Sequence, residues 1–102
     1  MTVLTSEQFD EAVKEGLTLV DFYADWCGPC KMLGPVVEQV AEELADQANF
    51  YKLNVDDSSD IAGRYGVMSI PTLILFKDGE EVGKIVGFQP KEALVEFVKN
   101  NA

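Results

Sequence analysis

Residues 17 to 24 read LTLVDFYA. The run is nearly continuous in apolar side chains and rich in β-branched and aromatic ones, the composition of a central strand covered on both faces. A chain with such a strand must supply a sheet around it and helices above and below. The flanking segments do so. Thr2 to Leu4 can form a short strand. Thr5 or Ser6 can cap a helix running to about Glu15, with Phe9, Ala12 and Val13 inward and Gly16 as its stop. A long helix from Gly28 or Pro29 to about Asp46 follows from the recurrence of Leu33, Val36, Val37, Val40, Ala41 and Leu44, with a kink expected at Pro35. Phe50 to Val55 is another strand, and Asp56 to Ser59 offer caps for a short helix ending near Gly66. PTLILFKDGEEVGKIVG, residues 71 to 87, reads as two strands joined at Asp78-Gly79, a strong hairpin signal. Pro90 opens a last helix with Ala93, Leu94, Phe97 and Val98 inward. The predicted order is β-α-β-α-β-α-β-β-α: an α/β fold with a mixed five-stranded sheet and four helices, parallel first and closing in an antiparallel hairpin. Phe22, Leu73, Leu75 and Phe76 read as core.

Length and composition narrow the function. The 102 residues fit one domain, 1–102, with 47% hydrophobic and 25% charged side chains, as globular chains have. Eighteen acidic against eight basic residues give a net charge of −10. Nucleic acid and anionic membrane are then poor partners, since both require clustered Lys and Arg. The opening MTVLTSEQFDEAVKEG has neither a basic start nor an apolar run, and no stretch approaches the ~20 apolar residues of a membrane span. A cytosolic location is expected, where structural disulfides are rare.

Against that background stands DWCGPCK, residues 25 to 31, which holds both cysteines of the chain. A closed zinc site needs four ligands and an iron–sulfur cluster generally four Cys; two Cys and no His supply neither, leaving only a site shared between two chains. A structural disulfide here would close a very small loop and stabilise little. Reversible thiol–disulfide chemistry fits better. Cys27 falls just before a helix and Cys30 in its first turn, where unpaired N–H groups and partial positive charge favour a thiolate. Lys31 adds a cation, Gly28 permits close backbone approach, and Pro29 suits and stiffens the first turn. The spacing pairs an attacking thiol with a resolving one.

Asp21 is the one acid in the apolar strand. Its charge is costly there unless paired or neutralised, so desolvation is expected to raise its pKa; the alternative is a strand twist that brings it to a wet edge.

WCGPCK after LVDFYADW, with SIPTLILFKDGE downstream, closely resembles the thioredoxin family, and the likeness runs essentially end to end. The resemblance implies the thioredoxin fold and a protein-disulfide reductase. Cys27 would attack a target disulfide, Cys30 would resolve the mixed disulfide, and a thioredoxin reductase would restore the dithiol at the expense of NADPH. No bound cofactor or metal is implied, and a monomer is the default. Asp21 would be the buried acid behind the site that aids proton transfer at Cys30, and Lys52, in FYKLNVD, the lysine that pairs with it; alone, Lys52 would be an ordinary snorkelling lysine. Pro71 would be cis beside the cysteines, although a proline starting a strand is unremarkable by itself. Ile70 would offer backbone hydrogen bonds to an extended substrate segment. Trp26 would be a flat contact surface beside the thiols, or else a core residue. Gly87 would keep the groove open, or simply turn the chain at a strand end. Three positions depart from the family pattern: Tyr23 stands where Trp is frequent, and Met68 and Ser69 replace a basic or polar residue and a Gly beside the substrate loop, which bears on target preference. Two other readings compete: a thiol oxidant or isomerase on the same fold, and a binding module without turnover. Replacing Cys27 with Ser separates the last from the reductase.

Overall fold

Thr5 sets the first element. Its hydroxyl accepts from the Gln8 amide at 3.3 Å while Gln8 Oε1 accepts from the Thr5 amide at 3.0 Å, a reciprocal cap that starts α1 (Ser6–Val13). The computed structural model, which describes residues 1–102, continues with β1 (Leu17–Tyr23), α2 (Gly28–Glu43), β2 (Asn49–Asn54), α3 (Ser59–Arg64), β3 (Thr72–Lys77), β4 (Glu80–Val86) and α4 (Lys91–Asn100). The strands form one mixed sheet in the order β2-β1-β3-β4. β1 and β2 are parallel, joined by the α2 crossover, and the β1–β3 and β3–β4 pairs are antiparallel.

The sheet therefore has four strands, not the five expected. Thr2 to Leu4 contributes a single bridge, Val3 to Lys52. Only the Thr2 carbonyl and the Leu4 amide reach β2, both to Lys52, before Thr5 must turn to cap the helix. Helix ends also fall short of their expected positions. α1 stops at Val13 rather than Glu15, and α2 at Glu43 rather than Asp46, where the Gln47 and Ala48 amides fold back onto the Leu44 carbonyl. Ser58 stands at the N-cap position of α3 and Pro90 at that of α4 rather than as its first residue, neither side chain making a capping hydrogen bond.

The apolar run of β1 is buried throughout, with Tyr23 half-buried at its end. Its alternation splits the core in two. Leu17 and Leu19, with Leu73 and Leu75 of β3, pack against Leu33, Val37 and Val40 of α2 and Leu94 and Val98 of α4. Val20 and Phe22, with Leu53, Ile74 and Phe76, pack against Phe9 and Val13 of α1 and Ile61 of α3. The hairpin turns on Asp78 and Gly79, both at positive φ (50° and 87°), as the tight turn that matches strand twist requires. Asp78 also locks the turn to the start of β1: its Oδ1 accepts from the Gly16 amide at 2.8 Å, and its amide donates to the Gly16 carbonyl at 2.9 Å.

Candidate active site

With β1 and β2 parallel, α2 must begin at their carboxyl ends, and this is where both cysteines lie. Cys27 is the N-cap residue of α2 and Cys30 is in its first turn; they are joined by a disulfide, and both are buried. The Cys30 amide donates to Cys27 Sγ at 3.2 Å. In the reduced state that N–H, with the helix N-terminus behind it, stabilises a thiolate on Cys27. No acidic residue occupies the first turn of α2 to oppose it. Lys31 is exposed and caps no carboxylate, and its amide donates to the Cys27 carbonyl at 3.2 Å. Gly28 and Pro29, the first two residues of the helix, are exposed between the sulfurs' backbones.

A second segment closes on the pair from β3. The Ile70–Pro71 peptide bond is cis, and the Ile70 carbonyl oxygen lies 3.8 Å from Cys27 Sγ. Pro71 is buried and Ile70 half-buried. The Gly87 amide donates to the Pro71 carbonyl at 2.8 Å, carrying the β3–β4 ladder one residue further. Gly87 has φ +94°, a conformation that disfavours a side chain, and a Cβ there would meet no atom of the chain. Trp26 is 70% exposed, far from the core, and its Nε1 donates to Asp56 Oδ2 at 2.9 Å. Met32 of α2 and Met68, before β3, are also exposed.

Asp21 sits beneath this surface. It is 1% exposed, and neither carboxylate oxygen has a hydrogen-bond partner. Burial pushes its pKa from 3.8 up to about 6, with the Lys52 charge pulling the other way. Lys52 is its register partner across the β1–β2 pair. The expected pairing of the two is nonetheless not an ion pair: Lys52 forms none, and its ammonium lies 4.3 Å from the centre of the Tyr23 ring. Burial, and then the charges of Asp25, Asp57 and Asp21, push the Tyr23 phenol up. Tyr23, Lys52 and Cys30 meet at a cavity of about 120 Å³, completed by Ala24, Asp25 and Lys31.

The structure thus brings Cys27, Cys30, Ile70, Pro71 and Gly87 together, puts Trp26 on the rim, and sets Asp21 and Lys52 behind. Sequence reasoning missed Asp56 as the anchor of Trp26, and Asn54, whose Oδ1 accepts from the Asp56 and Asp57 amides at 2.8 and 3.2 Å. An Asn at a strand end before Val-Asp-Asp was the available signal, because such side chains readily close turns. No three metal-ligating side chains are gathered anywhere in the chain.

Comparison with known proteins gives one consistent result. The family model described as Thioredoxin matches residues 1–100. A thioredoxin of Staphylococcus saprophyticus is 52% identical over 98 residues, covering 96% of this chain and 94% of its own. A thioredoxin of Staphylococcus haemolyticus is 55% identical over 95 residues, covering 93% of this chain and 91% of its own. Among solved structures, a mutant thioredoxin from Halobacterium salinarum NRC-1 superposes with a TM-score of 0.91 at 41% identity, over 98% of this chain and 88% of that one. Likeness of this degree over nearly the whole chain settles the assignment: the chain belongs to the thioredoxin family.

Proposed function

We propose that this chain is a protein-disulfide reductase, acting as one unit over residues 1–102. The observation that carries the reading is the Cys27–Cys30 disulfide at the start of α2, with a main-chain N–H on Cys27 Sγ and the Ile70 carbonyl beside it.

In the reduced protein Cys27 is the nucleophile. Its thiolate attacks one sulfur of a target disulfide; the target S–S bond breaks, a mixed disulfide forms, and the target's other sulfur leaves with the electron pair and takes up a proton. Cys30 then gives up its proton and attacks Cys27 Sγ. The mixed disulfide breaks, the second target sulfur leaves and is protonated, and the chain is left with the Cys27–Cys30 disulfide. Two electrons and two protons have passed to the target. Asp21, which is a carboxylate only above about pH 6 and is then more basic than an exposed one, is the acceptor for the Cys30 proton, and Lys52 modulates it. Trp26, Gly28, Pro29, Ile70, Pro71 and Gly87 form the contact surface for an extended target segment, with Ile70 supplying backbone groups for strand-like pairing. The partners are disulfide-bearing proteins and a thioredoxin reductase that returns the pair to the dithiol. No helix is long and apolar enough to cross a membrane. The cytosol is the compartment that suits a reductase of this kind.

Turnover is measured as reduction of a disulfide-bearing protein in the presence of excess dithiothreitol. The wild-type chain accelerates the reaction. Cys27→Ser is expected to fall to the uncatalysed background while still folding; a Cys27→Ser chain that retained turnover would overturn the mechanism.

A further inference from the structure

Asp21, Tyr23 and Lys52 project from the same face of the sheet. Asp21 and Tyr23 are two residues apart on β1, and Lys52 is across from Asp21 on β2. Neighbouring strands are separated by about 4.8 Å, and residues two apart on one strand by about 6.6 Å. A lysine stem rooted at position 52 can therefore turn to either neighbour. Facing a buried carboxyl with two unpartnered oxygens, it runs instead to the Tyr23 ring, 4.3 Å from the ring centre. Lys52 has no carboxylate partner of its own, so nothing else holds it there. The contact lies at the wall of the 120 Å³ cavity that also reaches Cys30, with Lys52 half-buried.

We propose that Tyr23 is a positioning residue: its ring holds the Lys52 ammonium off the Asp21 carboxyl, so that the buried acid stays unpaired. This rests on the reading of Asp21 as the proton acceptor of the site, and extends it to a position where the family often has Trp. The consequence is chemical. A carboxylate locked in an ion pair is a fixed negative charge and a weak base. An unpaired one in an apolar setting takes a proton near neutral pH and can return it. The ammonium still acts on Asp21 through space, which opposes the effect of burial without cancelling it. Other charged groups face the same cavity without pairing with Lys52: Asp25 and Lys31 line it, and Asp57 lies on the loop after β2, while Leu73, the neighbour of Asp21 on β3, is apolar. Any flat aromatic ring at position 23 would serve, and the phenol hydroxyl is not required.

The titration of Asp21 decides this directly. Its carboxyl carbon is followed by NMR against pH in the oxidised protein, where Cys27 and Cys30 carry no titrating proton, and is assigned by its loss in Asp21→Asn. In Tyr23→Leu the ammonium is freed toward the carboxyl, and the midpoint is expected to fall by about one pH unit. In Tyr23→Phe and Tyr23→Trp the midpoint stays near that of the wild type. The Lys52→Met background separates a released ammonium from water entering beside a smaller side chain. There, Tyr23→Leu should move the midpoint no further. An unchanged midpoint in Tyr23→Leu, an equal fall in Tyr23→Phe, or a fall that persists without Lys52 would each overturn the proposal. Because Asp21 itself is observed, the result stands whether or not Asp21 serves turnover, which the disulfide-reduction assay tests separately.

Discussion

Asp21 is the residue at which stability and chemistry pull apart. Unfolded, its carboxyl titrates near its ordinary value of 3.8; folded, it holds its proton up to about 6. Between those values the native chain binds a proton that the unfolded chain releases, so stability falls as pH rises through the window. Above about 6 the full penalty is present, on the order of 2–3 kcal/mol. Asp21→Asn, which resembles the neutral acid in shape, should therefore stabilise the oxidised protein by roughly that amount at pH 8 and by little at pH 4. Urea unfolding at the two pH values checks it; equal effects at both would show that the carboxyl is not the source. The sequence disclosed the burial of Asp21, since a lone acid in LTLVDFYA has little choice. It did not disclose where Lys52 points. Register fixes which residues are neighbours, whereas the direction of a flexible four-carbon stem depends on the balance of two weak attractions.

Among the elements, those with strong local chemistry were the legible ones. The Asp78-Gly79 turn declared itself because few residue pairs accept positive φ at both positions. α2 was legible from its apolar spacing and from Pro29, and the cysteine pair from its place at the start of that helix. The first strand was misjudged because Thr2 to Leu4 has the right composition for a strand but too little length before the Thr5 cap to pair along β2. The helix ends were misjudged by two or three residues, α2 because neither glycine nor proline stops it: Leu44 is its C-cap and Ala45 follows. The cis bond before Pro71 was visible only through resemblance, since nothing local distinguishes it. The hairpin carries its own prediction. Gly79→Ala places a Cβ at φ 87° and should cost about 1–2 kcal/mol. The turn lies at the far end of β3 from Pro71, so disulfide reduction at 25 °C should be unaffected. Chemical denaturation beside the turnover assay reads both.

For the molecule as a whole, charge is the dominant long-range force. The net charge is −10, and none of the five ion pairs is buried on both sides. Such pairs contribute little singly, so repulsion between acids outweighs them. Raising sodium chloride from 10 mM to 150 mM should stabilise the fold by about 1 kcal/mol, seen as a rise in Tm of a few degrees. A fall would mean that the ion pairs matter more than the repulsion. The reactive pair is insulated from all of this by one feature. The donor on Cys27 Sγ is the main-chain N–H of Cys30. Short of a proline at position 30, no replacement elsewhere deletes it, and no side chain has to be kept to supply it. A chain of this design can therefore change exposed side chains at its rim, such as Trp26 or Met68, while the same reactive sulfur keeps its donor.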